Sequence, residues 1–104
     1  MAISLKAVPR KLKDDIGTGL DGTSYPDRIR IAEAMAAQDS RIVFDSLRPM
    51  ADEYWNLIDG RRTLADIAVA LCMQFGFELE PALFLPFAEG LLGKGLIALD
   101  EDGG

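Results

Sequence analysis

Glycines at positions 60, 76 and 95 divide the second half of the chain into helix-sized pieces, and this punctuation limits the fold more than any other feature. Glycine accepts the left-handed conformation in which helices commonly stop. The first piece predicts a helix that starts near Pro49, a residue favoured in a first turn, and ends before Gly60. Its apolar face is Met50, Ala51, Tyr54, Trp55, Leu57 and Ile58. Arg61 and Arg62 make the turn. Thr63 then reads as an N-cap, with Asp66 three residues on as a weak form of the capping box. The second helix carries Leu64, Ile67, Ala68, Leu71, Cys72 and Phe75 at spacings of three and four, a stripe that faces a core. A third helix lies between about Pro81 and Lys94, and a start near Leu83 puts Pro86 in the first turn, where its missing N–H costs nothing. Leu83, Phe84, Phe87, Ala88 and Leu91 cover one side of that helix, while Leu85 and Leu92 add apolar surface outside the stripe. Leu96 to Leu99 reads as a closing extended piece.

The first half is less patterned. Ser4 to Val8 alternates and predicts a first strand that Pro9 limits. Asp14 to Pro26 reads as a loop because no apolar period survives there. Arg28-Ile29-Arg30-Ile31 alternates like a strand, whereas Ala32 to Ala37 is rich in helix formers. Gln38-Asp39-Ser40 is a turn signal, and Arg41-Ile42-Val43-Phe44, β-branched and aromatic, predicts a strand.

Composition narrows the function. The 104 residues support one core, and 11 Lys plus Arg against 17 Asp plus Glu give a formal charge of −6. An acidic surface repels phosphate backbones, which argues against a nucleic-acid ligand. With no histidine and one cysteine, imidazole catalysis, a disulfide framework and multi-cysteine zinc sites are excluded, and a reducing cytoplasm is the expected compartment. No apolar run reaches the roughly 20 residues of a membrane helix.

Other motifs have plain readings. Gly17-Thr18-Gly19-Leu20-Asp21-Gly22 matches a dinucleotide fingerprint as a string, but no buried strand feeds it and no helix start follows. Gly103-Gly104 resembles the diglycine end of sulfur carriers, on a chain too helical for that fold. Cys72 falls on the apolar stripe of the second helix and is expected in the core. The pairs Asp14/Asp15, Asp52/Glu53 and Glu78/Glu80 are expected to be solvated charges. The outer face of the second helix offers Ala65, Asp66, Val69, Ala70, Met73 and Gln74, where a DNA reader would show arginine, lysine or amides.

Leu47-Arg48-Pro49-Met50-Ala51, Tyr54-Trp55, Leu57-Ile58-Asp59-Gly60-Arg61-Arg62-Thr63, Ile67-Ala68 and Leu91-Leu92-Gly93-Lys94-Gly95-Leu96-Ile97 together resemble the PqqD-like family. The likeness covers residues 41–99, and Lys6-Ala7-Val8-Pro9-Arg10 is similar to the start of some members. Arg48 stands where the family usually has asparagine. The resemblance implies an α+β, winged helix-turn-helix-like fold, with short N-terminal strands followed by a three-helix bundle. The expected division is residues 1–27 as an N-terminal strand and flexible loop, 28–99 as the winged-helix domain, and 100–104 as an acidic disordered tail.

Such domains are not enzymes and need no cofactor. They are peptide-recognition elements for ribosomally made, post-translationally modified peptides. They hold the leader of a precursor peptide and present its core to a modifying enzyme, often a radical S-adenosylmethionine enzyme. The leader adds as a strand and lies beside the third helix, so Ile42, Val43 and Phe44 would form the pairing edge. Phe84, Phe87 and Leu91, or the second face with Leu85 and Leu92, would line the cleft, and spacing alone does not decide between them. Exposed strand edges also leave homodimerisation open. The rival readings are a winged-helix DNA-binding regulator and a docking subunit of a larger enzyme with no peptide client.

Overall fold

The computed structural model describes residues 3–12, 25–42 and 47–100. The order of elements is β1 (Val8–Lys11), α1 (Tyr25–Gln38), α2 (Leu47–Asn56), α3 (Leu64–Phe75), a 3₁₀ turn (Pro81–Phe84), α4 (Leu85–Gly93) and β2 (Ile97–Asp100). The class is α+β. The two strands come from opposite ends of the chain and pair antiparallel, Val8 opposite Asp100 and Lys11 opposite Ile97.

Several expectations for the first half are corrected. Ser4 to Lys6 is a turn, in which Lys6 N–H donates to Ser4 Oγ and Ala7 N–H to the Ser4 carbonyl, both at 3.1 Å. The strand starts at Val8 and runs through Pro9 instead of stopping there. Leu12 N–H donates to the Leu96 carbonyl at 2.8 Å, which makes Leu12 and Leu96 a hydrogen-bonded pair. Such pairs alternate along an antiparallel ladder, so Pro9 opposite Leu99 falls in a non-hydrogen-bonded pair and its missing N–H disturbs nothing.

Arg28 to Ile31, which alternates like a strand, is helical instead. It lies inside the 14-residue α1, and the helix-forming run from Ala32 carries it along. Pro26 sits in the first turn, where proline is tolerated. Ile31, Ala32 and Met35 face the core, and Ile29 turns outward. The expected domain boundary at residues 27 and 28 thus falls within this helix. Arg41 is also not in a strand: it closes a turn in which Asp39 Oδ1 accepts the Arg41 backbone N–H at 3.0 Å.

The second half follows its punctuation. Helix α2 buries Leu47, Met50, Ala51, Tyr54 and Trp55. Asp59 organises the next turn: Oδ1 accepts the N–H groups of Arg61 and Arg62 at 2.9 Å each, and Oδ2 accepts from Arg62 Nη1 at 3.0 Å. These backbone donors, Arg62 first, hold the Asp59 carboxyl below its ordinary range. Gly60, at φ +78°, supplies the left-handed residue that the turn needs. At the start of α3, Thr63 Oγ1 accepts from Asp66 N–H at 3.0 Å and Asp66 Oδ2 accepts from Thr63 N–H at 3.2 Å, a complete capping box. Gly76 ends α3 at φ +76°. Pro86 lies in the first turn of α4, as its chemistry requires.

One core joins all of this. Tyr54, Phe84 and Phe87 are its largest fully buried side chains, with ring centroids 5.4 Å apart for Tyr54–Phe87 and 6.3 Å for Phe84–Phe87. Burial pushes the Tyr54 phenol well above its ordinary pKa. Ala7 and Ile97 bring both ends of the chain into the same cluster. Asp100, at the head of the acidic tail segment, is still in β2 and its Oδ2 accepts from Arg10 Nε at 3.0 Å.

Candidate functional site

The expected cleft residues on α4 and the 3₁₀ turn before it divide sharply. Phe84, Phe87 and Leu91 are fully buried and form the core face, together with Ala88. Leu85 is half-buried and packs on the edge of that cluster, while Leu92 is 38% exposed. Of the alternatives that spacing leaves open, the second face is therefore the one that meets solvent. At the expected pairing edge, Ile42 is buried in the core, and Val43 and Phe44 lie outside the described residues.

A different surface stands open. The outer face of α3 and the connection after it enclose a groove of about 450 Å³, lined by Val69, Cys72, Met73, Phe77, Leu79 and Pro81, with Gly76 and Glu78 between them. Met73 is 79% exposed and Val69 50%, and together they place apolar surface on the outer side of α3. Their position follows from α3's register: Leu64, Ile67, Ala68 and Leu71 face inward, so Val69 and Met73, four apart, stand together on the opposite side. Gly76 then reverses the chain, and Phe77 and Leu79 alternate to form the second wall. Leu79 is nearly buried, and its carbonyl accepts from the Cys72 thiol at 3.7 Å, which ties wall to helix.

One rim is closed by the segment that leads toward Val43. Arg41 Nη2 donates to the Gly76 carbonyl at 2.9 Å, and the guanidinium stands 5.1 Å from the centre of the Phe77 ring. Asp39 grips the same guanidinium with both oxygens, at 3.0 and 2.6 Å. The Arg41 hydrogen bonds hold the Asp39 carboxyl below its ordinary range and raise the arginine in turn. Gln38 completes this edge, its Oε1 accepting from Glu80 N–H at 3.5 Å.

Sequence reasoning placed Val69 and Met73 on the outer face of the second helix but did not join them to Phe77 and Leu79. The available signal was the apolar alternation Phe77-Glu78-Leu79 directly after a helix-ending glycine.

The groove is lined mainly by apolar side chains. Cys72 is half-buried, packs against the edge of the core cluster and also lines the groove. Asp52 and Glu53, expected in solvent, are half-buried on α2, and Asp52 Oδ1 has no hydrogen-bond partner among the described residues. Among the described residues no group of acidic or cysteine side chains is arranged to hold a metal ion, and no helix is long and apolar enough to cross a membrane. The glycine-rich segment 17–22 and the Gly103-Gly104 end, like Asp14 and Asp15, lie outside the described residues. No family model, no curated protein and no solved structure matches this chain.

Proposed function

We propose that this chain is a non-catalytic peptide-binding domain of the PqqD-like, winged-helix kind. In this reading it works in the cytoplasm, holds the leader of a ribosomally made precursor peptide, and presents that precursor to a modifying enzyme. A radical S-adenosylmethionine enzyme is the partner that the resemblance favours.

The observation that carries the reading is the open apolar groove with Met73 at its mouth. Methionine adapts its shape to varied apolar partners, a property useful for gripping the side chains of an extended peptide. The groove's volume is in the range of about 300–1,000 Å³ usual for ligand sites. Arg41 fixes the segment that ends at Ile42 against the groove wall through its hydrogen bond to the Gly76 carbonyl.

The test is affinity capture of the tagged chain from its native lysate, followed by mass spectrometry that retains short peptides. Recovery of a short ribosomal peptide that the Met73→Gln chain fails to retain supports the reading. An enzyme captured with no peptide means a docking subunit. DNA-dependent capture that disappears at raised salt means a nucleic-acid regulator.

A further inference from the structure

We infer that the groove selects a basic peptide: a segment in which a bulky apolar residue is flanked by lysine or arginine. This rests on the peptide-binding reading and gives its client a chemistry.

The argument is one of charge around an apolar centre. Glu78 lines the groove, and Glu80 is exposed between the lining residues Leu79 and Pro81. Neither carboxylate forms a salt bridge with a described residue. Arg41 at this rim is held by both oxygens of Asp39 and also attracts Glu78, so Asp39, Arg41 and Glu78 together carry one net negative charge. An apolar floor with an acidic rim therefore faces solvent, on a chain whose overall charge is −6. An anionic peptide would be repelled on approach and a neutral one would gain burial alone. A peptide with cations on either side of its apolar anchor gains both burial and rim contacts. Exposed pairs of this kind are each worth about a 2- to 5-fold change in affinity, so their effect is on selection among peptides more than on strength.

The experiment uses the full chain and three fluorescein-labelled peptides of one design, an extended segment with a central Leu-x-Phe pair flanked by lysine, glutamine or glutamate. Fluorescence anisotropy at low salt should rank them lysine, glutamine, glutamate, with the spread narrowing at 0.5 M salt. The double variant Glu78→Lys, Glu80→Lys should invert that order, with about a 10-fold loss for the lysine peptide. Met73→Gln should weaken all of them, with circular dichroism confirming that both variants fold. Equal binding of the lysine and glutamine peptides would overturn the charge selection and leave the peptide reading standing. If none binds at up to millimolar chain, both fail. A dimer of the chain that Met73→Gln dissociates would also overturn the inference, since a second copy would then occupy the groove.

Discussion

The backbone N–H of Leu64 donates to the carbonyl of Ala7 at 2.9 Å, and the next N–H of α3, on Ala65, donates to Leu5 at 3.0 Å. The first donors of a helix have no partner within it, and here the N-terminal segment supplies two acceptors before it enters β1. The N-terminal turn, the start of α3 and the β1–β2 ladder are thus one connected structure.

Removal of residues 1–7 should therefore destabilise the chain well beyond the loss of a tail. Two hydrogen bonds at about 1 kcal/mol each, plus the buried Ala7, correspond to a fall in melting temperature of about 10 °C or more. Thermal denaturation followed by circular dichroism measures this, and an unchanged midpoint would refute the linkage.

The capping box makes a smaller, local claim. Thr63→Ala removes the acceptor for Asp66 N–H and should cost about 1 kcal/mol. Urea titration should show the midpoint moving with an unchanged slope, because the unfolded surface does not change. Thr63→Ser, which keeps the hydroxyl, should recover most of the loss.

The second half was legible because its signals are local. Thr63 with Asp66, the spacing of Leu64, Ile67, Ala68 and Leu71, and the stop at Gly76 all act within one helix, so a linear reading sees them. The pairing of Val8 with Asp100 joins the two ends of the chain, and no local pattern specifies it. Arg28 to Ile31 was ambiguous because four alternating residues fit either period, and only continuity with Ala32 onward makes them helical. The groove was missed for a related reason. Val69 and Met73 are an unremarkable exposed pair until Phe77 and Leu79 fold back beside them.

Glycine substitutions should separate backbone need from space. Gly76 and Gly93 both have room for a Cβ, with nothing within 4 Å, but only Gly76 has a positive φ. Gly76→Ala should cost about 1–2 kcal/mol through the left-handed backbone alone. Gly93→Ala, at the end of α4, should stabilise by a few tenths of a kcal/mol up to about 1 kcal/mol. Denaturant midpoints of the two variants on opposite sides of the parent would verify this.

Acid should weaken the Asp59 turn. Its carboxyl titrates below the ordinary value because the Arg62 and Arg61 N–H groups bind the charged form. A depressed folded-state pKa gives stability that is complete above the unfolded value near 3.9 and is lost as the pH falls through the folded one. Melting temperatures of the parent and Asp59→Asn should accordingly differ at about pH 7 and converge toward about pH 2. A difference that stays constant with pH would mean that the turn depends on shape and not on charge.

Helix α4 provides the sharpest contrast, because neighbouring leucines have opposite environments. Leu91 is fully buried beside Phe87, so Leu91→Ala should cost about 2–5 kcal/mol, a large part of the roughly 5–15 kcal/mol that a domain of this size holds. Leu92 is 38% exposed, and Leu92→Ala should shift stability by well under 1 kcal/mol or so. A peptide cleft on this helix can use only the Leu85 and Leu92 side without opening the core. Leu92 does not line the α3 groove, so Leu92→Asp should leave peptide affinity and melting temperature nearly unchanged while Met73→Gln lowers affinity, and a loss with Leu92→Asp would move binding to this face of α4.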